Sequence, residues 1–283
     1  MSSLVEMTGV SRRFGEILAV DRVDLTIGRG TVIGLIGANG AGKTTVMRML
    51  LGLLRPSGGS VLLFGTPPSR ATRSRIGYVP QNIGLYRDLT VAENMDFIVM
   101  AFGLRPPTLE DDLVEVRDTL VSDVSLGVQR RVAFSAALAH SPELLVLDEP
   151  TSGISALARA RLWERIRAAA EAGAGVLVST HSMDEADQCD DVVVMSKGAV
   201  VARGSVRDII GSSRSVEVDA SEWERAFATL EAAGLEPALV GTHLRLREES
   251  RQRAESALAA EGVTATVTAV AATFEEIFVA LTS

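Results

Sequence analysis

Short, almost wholly apolar runs alternate with glycine-rich and charged stretches over most of this chain. Residues 31–36, Thr-Val-Ile-Gly-Leu-Ile, read as a strand buried on both faces, and Val46, Met49, Leu50 and Leu53 then recur at helical spacing. Residues 144–147 and 175–180 repeat the buried-strand pattern. Residues 23–27 alternate instead, turn at Gly28-Arg29-Gly30, and with 61–64 predict an antiparallel β edge feeding a parallel core. Thr90-Val91-Ala92-Glu93 fits a capping box with Thr90 as N-cap, and the apolar run from Met95 to Phe102 continues the helix it starts. One face of that helix is expected to bury; its Met and Phe content also suits an adaptable docking surface.

Beyond Gly211-Ser212-Ser213 the pattern changes. Val216 and Val218 alternate, 221–233 is helical, 238–240 and 244–247 are strand-like, 250–260 is helical and 265–270 is again a strand. That order, βαββαβ, predicts a small ferredoxin-like α+β unit, followed by an apolar terminal turn at 274–281. The fold class expected is therefore α/β, with an antiparallel β edge, a short helical subdomain and a C-terminal α+β domain. The boundaries are 1–211 and 212–283, with the helical subdomain at about 88–140.

Composition narrows the partners. With 283 residues, 47% of them hydrophobic, the chain can bury a large core, and a net charge of −8 argues against a broad nucleic-acid surface. Cys189 is the only cysteine, which excludes an intramolecular disulfide and suits a reducing cytosol; it reads as a buried small apolar residue. Residues 1–6 lack the basic and apolar pattern of a secretion signal, and no run approaches the roughly 20 apolar residues of a membrane span. A membrane role would go through a partner. Only two of the 28 basic residues are lysines, Lys43 and Lys197.

Lys43 stands where chemistry is expected. Gly37-Ala38-Asn39-Gly40-Ala41-Gly42-Lys43-Thr44 matches the G-x-x-x-x-G-K-[ST] phosphate loop, between a predicted strand and a predicted helix as that motif requires. Its glycines let consecutive N–H groups face phosphates at a positive helix N-terminus. Lys43 should reach the β- and γ-phosphates of ATP and Thr44 should ligate Mg²⁺. Asp148 and Glu149 follow the strand at 144–147, where Asp148 would hold Mg²⁺ and Glu149 would polarise the attacking water. His181 follows the strand at 175–180 and arrives at the same sheet edge, within reach of the γ-phosphate. His140 suits a helix-end role, and His243 lies in the last domain.

In this order the elements resemble the ABC ATPase family over about residues 4–210, with 180–190 closely resembling the switch-histidine region of multidrug-type ATPases that pair with ABC-2 permeases. The resemblance implies nucleotide binding by Thr45 together with Gly37, Asn39, Gly40, Ala41, Gly42, Lys43 and Thr44. It further implies that Phe14 stacks on adenine, that Gln81 ligates Mg²⁺ beside Thr44 and Asp148, and that Ser125 and Gly127 meet the γ-phosphate across a dimer. Catalysis falls to Glu149 and His181. An exporter motor follows, peripheral on the cytoplasmic face of the membrane, with an integral permease and a homo- or heterodimer of ATPase subunits.

Two departures bear on this. The usual Leu-Ser-Gly-Gly-Gln signature reads Val124-Ser125-Leu126-Gly127-Val128, and Ser155 stands where the family carries an aspartate reaching across the dimer. They open an alternative, a nucleotide-binding regulator with weak hydrolysis. A soluble ABC ATPase without permease is the other; tandem modules or a long coiled-coil insertion would mark it, and this sequence has neither.

Overall fold

β-branched and leucine-rich runs that lack polar alternation must be covered on both faces, and they form the parallel strands of a central sheet. The computed structural model describes residues 3–104 and 111–282, in two units, one ending at Val206 and the other spanning Arg207–Leu281. In the first, β1 (Val5–Phe14) pairs antiparallel with β2 (Ile17–Ile27) and with β4 (Gly58–Leu63). The central sheet has the order β5-β6-β7-β3-β8-β9, built from β3 (Val32–Ile36), β5 (Ile76–Val79), β6 (Leu144–Asp148), β7 (Gly175–Thr180), β8 (Asp191–Ser196) and β9 (Ala199–Gly204). All its pairs are parallel except β8–β9, whose Lys197-Gly198 turn makes a hairpin.

Strand alternation divides the core into two layers. Ile33, Leu35, Leu144, Val146 and Leu177 face the antiparallel sheet and α1 (Lys43–Leu50). Val32, Leu145, Leu147, Val176 and Val178 face the other way, onto Ala133 and Phe134 of α5 (Leu126–Leu138) and Leu162, Trp163 and Ile166 of α6 (Ala156–Glu171). A short α2 (Arg70–Arg73) precedes β5.

The helical subdomain holds α3 (Val91–Ala101) and α4 (Asp111–Val114), and residues 105–110 of its expected span lie outside those described. Thr90 caps α3 as its sequence anticipates: its hydroxyl accepts from Glu93 N while the Glu93 carboxylate accepts from Thr90 N. Val91, Met95 and Val121 pack on Val132 and Ala136 of α5, whereas Phe97 and Met100 stay exposed. The run that begins at Met95 is thus core on one side and open apolar surface on the other.

All but the first residue of α7 (Val206–Ile210) lies in the second unit, which then follows the βαββαβ order: β10 (Arg214–Ala220), α8 (Trp223–Ala232), β11 (Ala238–Val240), β12 (His243–Arg247), α9 (Arg251–Ala260) and β13 (Ala265–Ala271). Its four-stranded sheet runs β11-β12-β10-β13, antiparallel throughout, with Val216, Val218 and Leu244 packed on Ala226, Leu230 and Leu258. The apolar turn at the end forms α10 (Phe274–Thr282).

Candidate functional site

The loop after β3 is shaped by close backbone approaches that only glycine permits. A Cβ on Gly37 would lie 2.5 Å from the Met195 carbonyl oxygen, and one on Gly42, at φ +102°, 2.7 Å from that of Ala19. Gly42 is also the N-cap of α1, so the helix begins as the loop ends and its first N–H groups remain available to an anion. Gly198 N donates to Ala41 O at 3.2 Å and ties the loop to the β8–β9 turn. Asn39 and Gly40 form the exposed apex, and Thr45 is half-buried.

Lys43 is only 5% exposed. Its ammonium folds back on its own loop, donating to the carbonyls of Gly37 (2.7 Å) and Ala38 (3.2 Å), and lies 3.6 Å from Glu149. Burial draws its pKa down, an effect that Glu149 and Asp148 partly offset.

Both carboxylates stand at the end of β6, Asp148 1% and Glu149 8% exposed. Asp148 accepts from Thr44 Oγ1 at 2.9 Å and from Ser179 Oγ at 2.5 Å. Glu149 turns out of the strand at φ 49°, and its N–H donates to the hydroxyl and carbonyl oxygens of Ser179 at 3.0 and 3.2 Å. Ser179, on neighbouring β7, therefore fixes both acidic positions, a role for which the sequence offered only a place in an apolar run. His181, just beyond β7 and half exposed, brings Nδ1 to 3.4 Å from Glu149, and Gln81, after β5, brings Nε2 to 3.5 Å. Phosphate loop, acidic pair, glutamine and histidine thus meet at the carboxyl ends of four adjacent strands, where open α/β sheets bind ligands.

Thr44 Oγ1 beside Asp148 Oδ2 supplies hard oxygen donors that fit Mg²⁺, while the Gln81 amide lies against Glu149. No cluster of three or more His, Cys, Asp or Glu able to hold a metal occurs among the described residues, so an ion here would complete its shell with phosphate oxygens and water.

Other expected residues lie apart from this centre. Phe14, at the exposed end of β1, carries the Arg12 guanidinium 4.5 Å from its ring centroid. Ser125 is the N-cap of α5, accepting from Val128 N, and Gly127 occupies the first turn of that helix. Leu126 approaches the turn after β6 so closely that a Cβ on Gly153 would meet its Cδ2 at 2.9 Å. Ser155 caps α6, accepting from Ala158 N at 3.3 Å. His140 stacks on Phe102 at 4.0 Å, its Nε2 3.1 Å from Ile76 O, at the end of β5 away from the acidic pair. Cys189 lies against Gly34, and burial pushes its thiol up to about 12, which makes it unreactive at neutral pH. Arg130, on α5, went unremarked in the sequence yet is 6% exposed and feels both acidic residues.

The model of the ABC transporter family matches residues 20–152. The chain is 39% identical over 231 residues to the Nod factor export ATP-binding protein I of Cupriavidus metallidurans, covering 77% of this chain and 76% of that one. It is 34% identical over 240 residues to "Probable multidrug ABC transporter ATP-binding protein YbhF" of Escherichia coli, covering 81% of this chain but spanning only 42% of that relative's length. A solved structure, described as the ATP-binding subunit of an ABC transporter, superposes with a TM-score of 0.67 at 31% identity, over 73% of this chain and 91% of the other. With that extent of identity, and with a phosphate loop and acidic pair in the same fold, the chain belongs to the ATP-binding proteins of the ABC transporter family.

Proposed function

We propose that this chain is the ATP-hydrolysing motor of a membrane exporter, working as a pair of ATPase subunits on the cytoplasmic face beneath a separate permease. The observation that carries this reading is the convergence of Lys43, Thr44, Asp148, Glu149 and His181 on one sheet edge. The names of the relatives, which refer to multidrug transport and Nod factor export, support export. Among the described residues no helix is long and apolar enough to cross a membrane, so the path for cargo is assigned to the partner. Exposed Phe97 and Met100 on α3 offer that partner an apolar surface.

The residues divide the work. Backbone N–H groups of residues 37–45 cradle the phosphates while Lys43 exchanges its Gly37 and Ala38 carbonyls for β- and γ-phosphate oxygens. Phe14 offers its ring to adenine. Thr44, Asp148 and Gln81 would hold Mg²⁺, which when bound neutralises phosphate charge. Glu149, its backbone fixed by Ser179, orients water toward the γ-phosphate, and His181 contacts that phosphate. Ser125 and Gly127 are assigned to the nucleotide of the second subunit. Residues 1–211 are assigned to the ATPase and 212–283 to an accessory, dimer-stabilising role.

Glu149→Gln tests the reading. ATP affinity should stay within about twofold while turnover falls by about 10² or more, since the water-orienting charge is lost and the phosphate loop is kept. Undiminished turnover would remove Glu149 from catalysis.

A further inference from the structure

Glu149 has three close polar side-chain neighbours: Lys43 at 3.6 Å, His181 at 3.4 Å and Gln81 at 3.5 Å. Under the function proposed above, on which this inference rests, all three are claimed by the nucleotide: Lys43 and His181 by phosphates, Gln81 by the metal. Loading the site therefore strips a carboxylate that is 8% exposed of its partners at the moment its charge and direction matter. A buried charge left unpaired is strongly disfavoured, and a second cation would relieve that cost.

The fold supplies one. Helix α5 runs against β5: a Cβ on Gly77, near the start of the strand, would sit 2.4 Å from Ala137 O near the end of the helix, and Val79 shares a core layer with Ala133 and Phe134. From Ala137 back to Arg130 the helix rises about 10 Å, and from Gly77 forward to Gln81 the chain advances about 13 Å. Arg130 thus stands level with the carboxyl ends of β5 and β6, which pair in register at Val79 and Leu147. Its side chain is 6% exposed, and neither Nε nor Nη1 has a hydrogen-bond partner among the described residues. The fields of Glu149, first, and Asp148 offset part of what burial costs the guanidinium. A buried guanidinium with an unused edge, level with the strand end that carries a carboxylate about to lose its partners, matches that carboxylate in charge and in fork geometry.

We propose that Arg130 is a positioning residue that receives Glu149 when nucleotide binds, donating from Nε and Nη1 to its carboxylate and keeping it aimed at the water. The signature helix, in this chain, thereby acts on its own acidic pair as well as on the nucleotide of a second subunit.

The test is a double-mutant cycle on the full chain, read by binding of the non-hydrolysable analogue AMP-PNP with Mg²⁺ and by steady-state ATP hydrolysis. Arg130→Met should weaken analogue binding at least fivefold when Glu149 is present and less than twofold in the Glu149→Gln background. It should also lower kcat at least tenfold with KM for ATP within about threefold, and Arg130→Lys should recover part of both losses. A loss of analogue binding that is equal in the two backgrounds, or absent from both, overturns the proposal. If Arg130→Met folds only together with Glu149→Gln, the charge coupling is upheld; if it folds in neither background, Arg130 serves packing and the proposal fails. Should Glu149→Gln alone keep full turnover, the catalytic reading of Glu149 is lost, while the binding cycle still reports on the pairing.

Discussion

Glu143, just before β6, shows how a single side chain fastens the sheet edge. It accepts from Arg75 Nε at 2.6 Å and pairs with Arg29 on its other oxygen, while the Arg75 guanidinium lies 3.7 Å from the Phe64 ring centroid. The Arg75 hydrogen bond, joined by that of Arg29, holds the Glu143 carboxyl below its ordinary value of 4.5. A pKa lowered in the folded state means that the stabilisation is complete above the unfolded value and disappears as pH falls through the folded one. Glu143→Gln should therefore lower Tm at pH 7, and the gap to the parent chain should close as pH is brought below 4.5, measured by thermal unfolding across that range. Residues of this kind were hardly legible beforehand. Lys43, Thr44, Asp148 and Glu149 announce themselves through a motif or an acidic pair that ends an apolar run, whereas Ser179 and Arg130 act through neighbours far away in sequence. Their types, a serine in a strand and one of 26 arginines, carry no local signal.

Elements were legible in proportion to how local their causes are. The α3 cap is written in four consecutive residues, and the strand that precedes the phosphate loop in six, because capping and double-sided burial depend on near neighbours. β1 and the β8–β9 hairpin were not read although both pair through short turns, because their runs are broken by arginine, glycine and lysine. Ser155 was expected to matter by comparison with a missing aspartate. Its place in the structure is the N-cap of α6, a role that serine and aspartate fill about equally well. Ser155→Ala should cost about 1 kcal/mol and lower Tm by about 2–4 °C, whereas Ser155→Asp should leave Tm within a degree or so, both read by thermal or urea unfolding. Local stability therefore does not distinguish serine from aspartate at this position.

The molecule as a whole divides between Val206 and Arg207, a few residues before hydrophobic patterning changes its period. Val216, Val218, Leu230, Leu244 and Leu258 close a core within the second unit, while the residues proposed to bind nucleotide all belong to the first. A chain ending at residue 211 should consequently fold and bind ATP within about threefold of the full chain, as isothermal titration would measure. Failure to fold would mean that the second unit completes the first.

The rarity of lysine has a practical outcome. Of the two amines, Lys43 is walled in by its own loop, while Lys197 projects from the β8–β9 turn, one residue before the Gly198 N–H that is bonded to Ala41. Apart from the α-amino group, an amine-directed fluorophore has a single open target, anchored by one hydrogen bond to the loop that curls around phosphate. Evolution has left this chain with a built-in attachment point for an optical gauge of nucleotide occupancy, without the introduction of a cysteine.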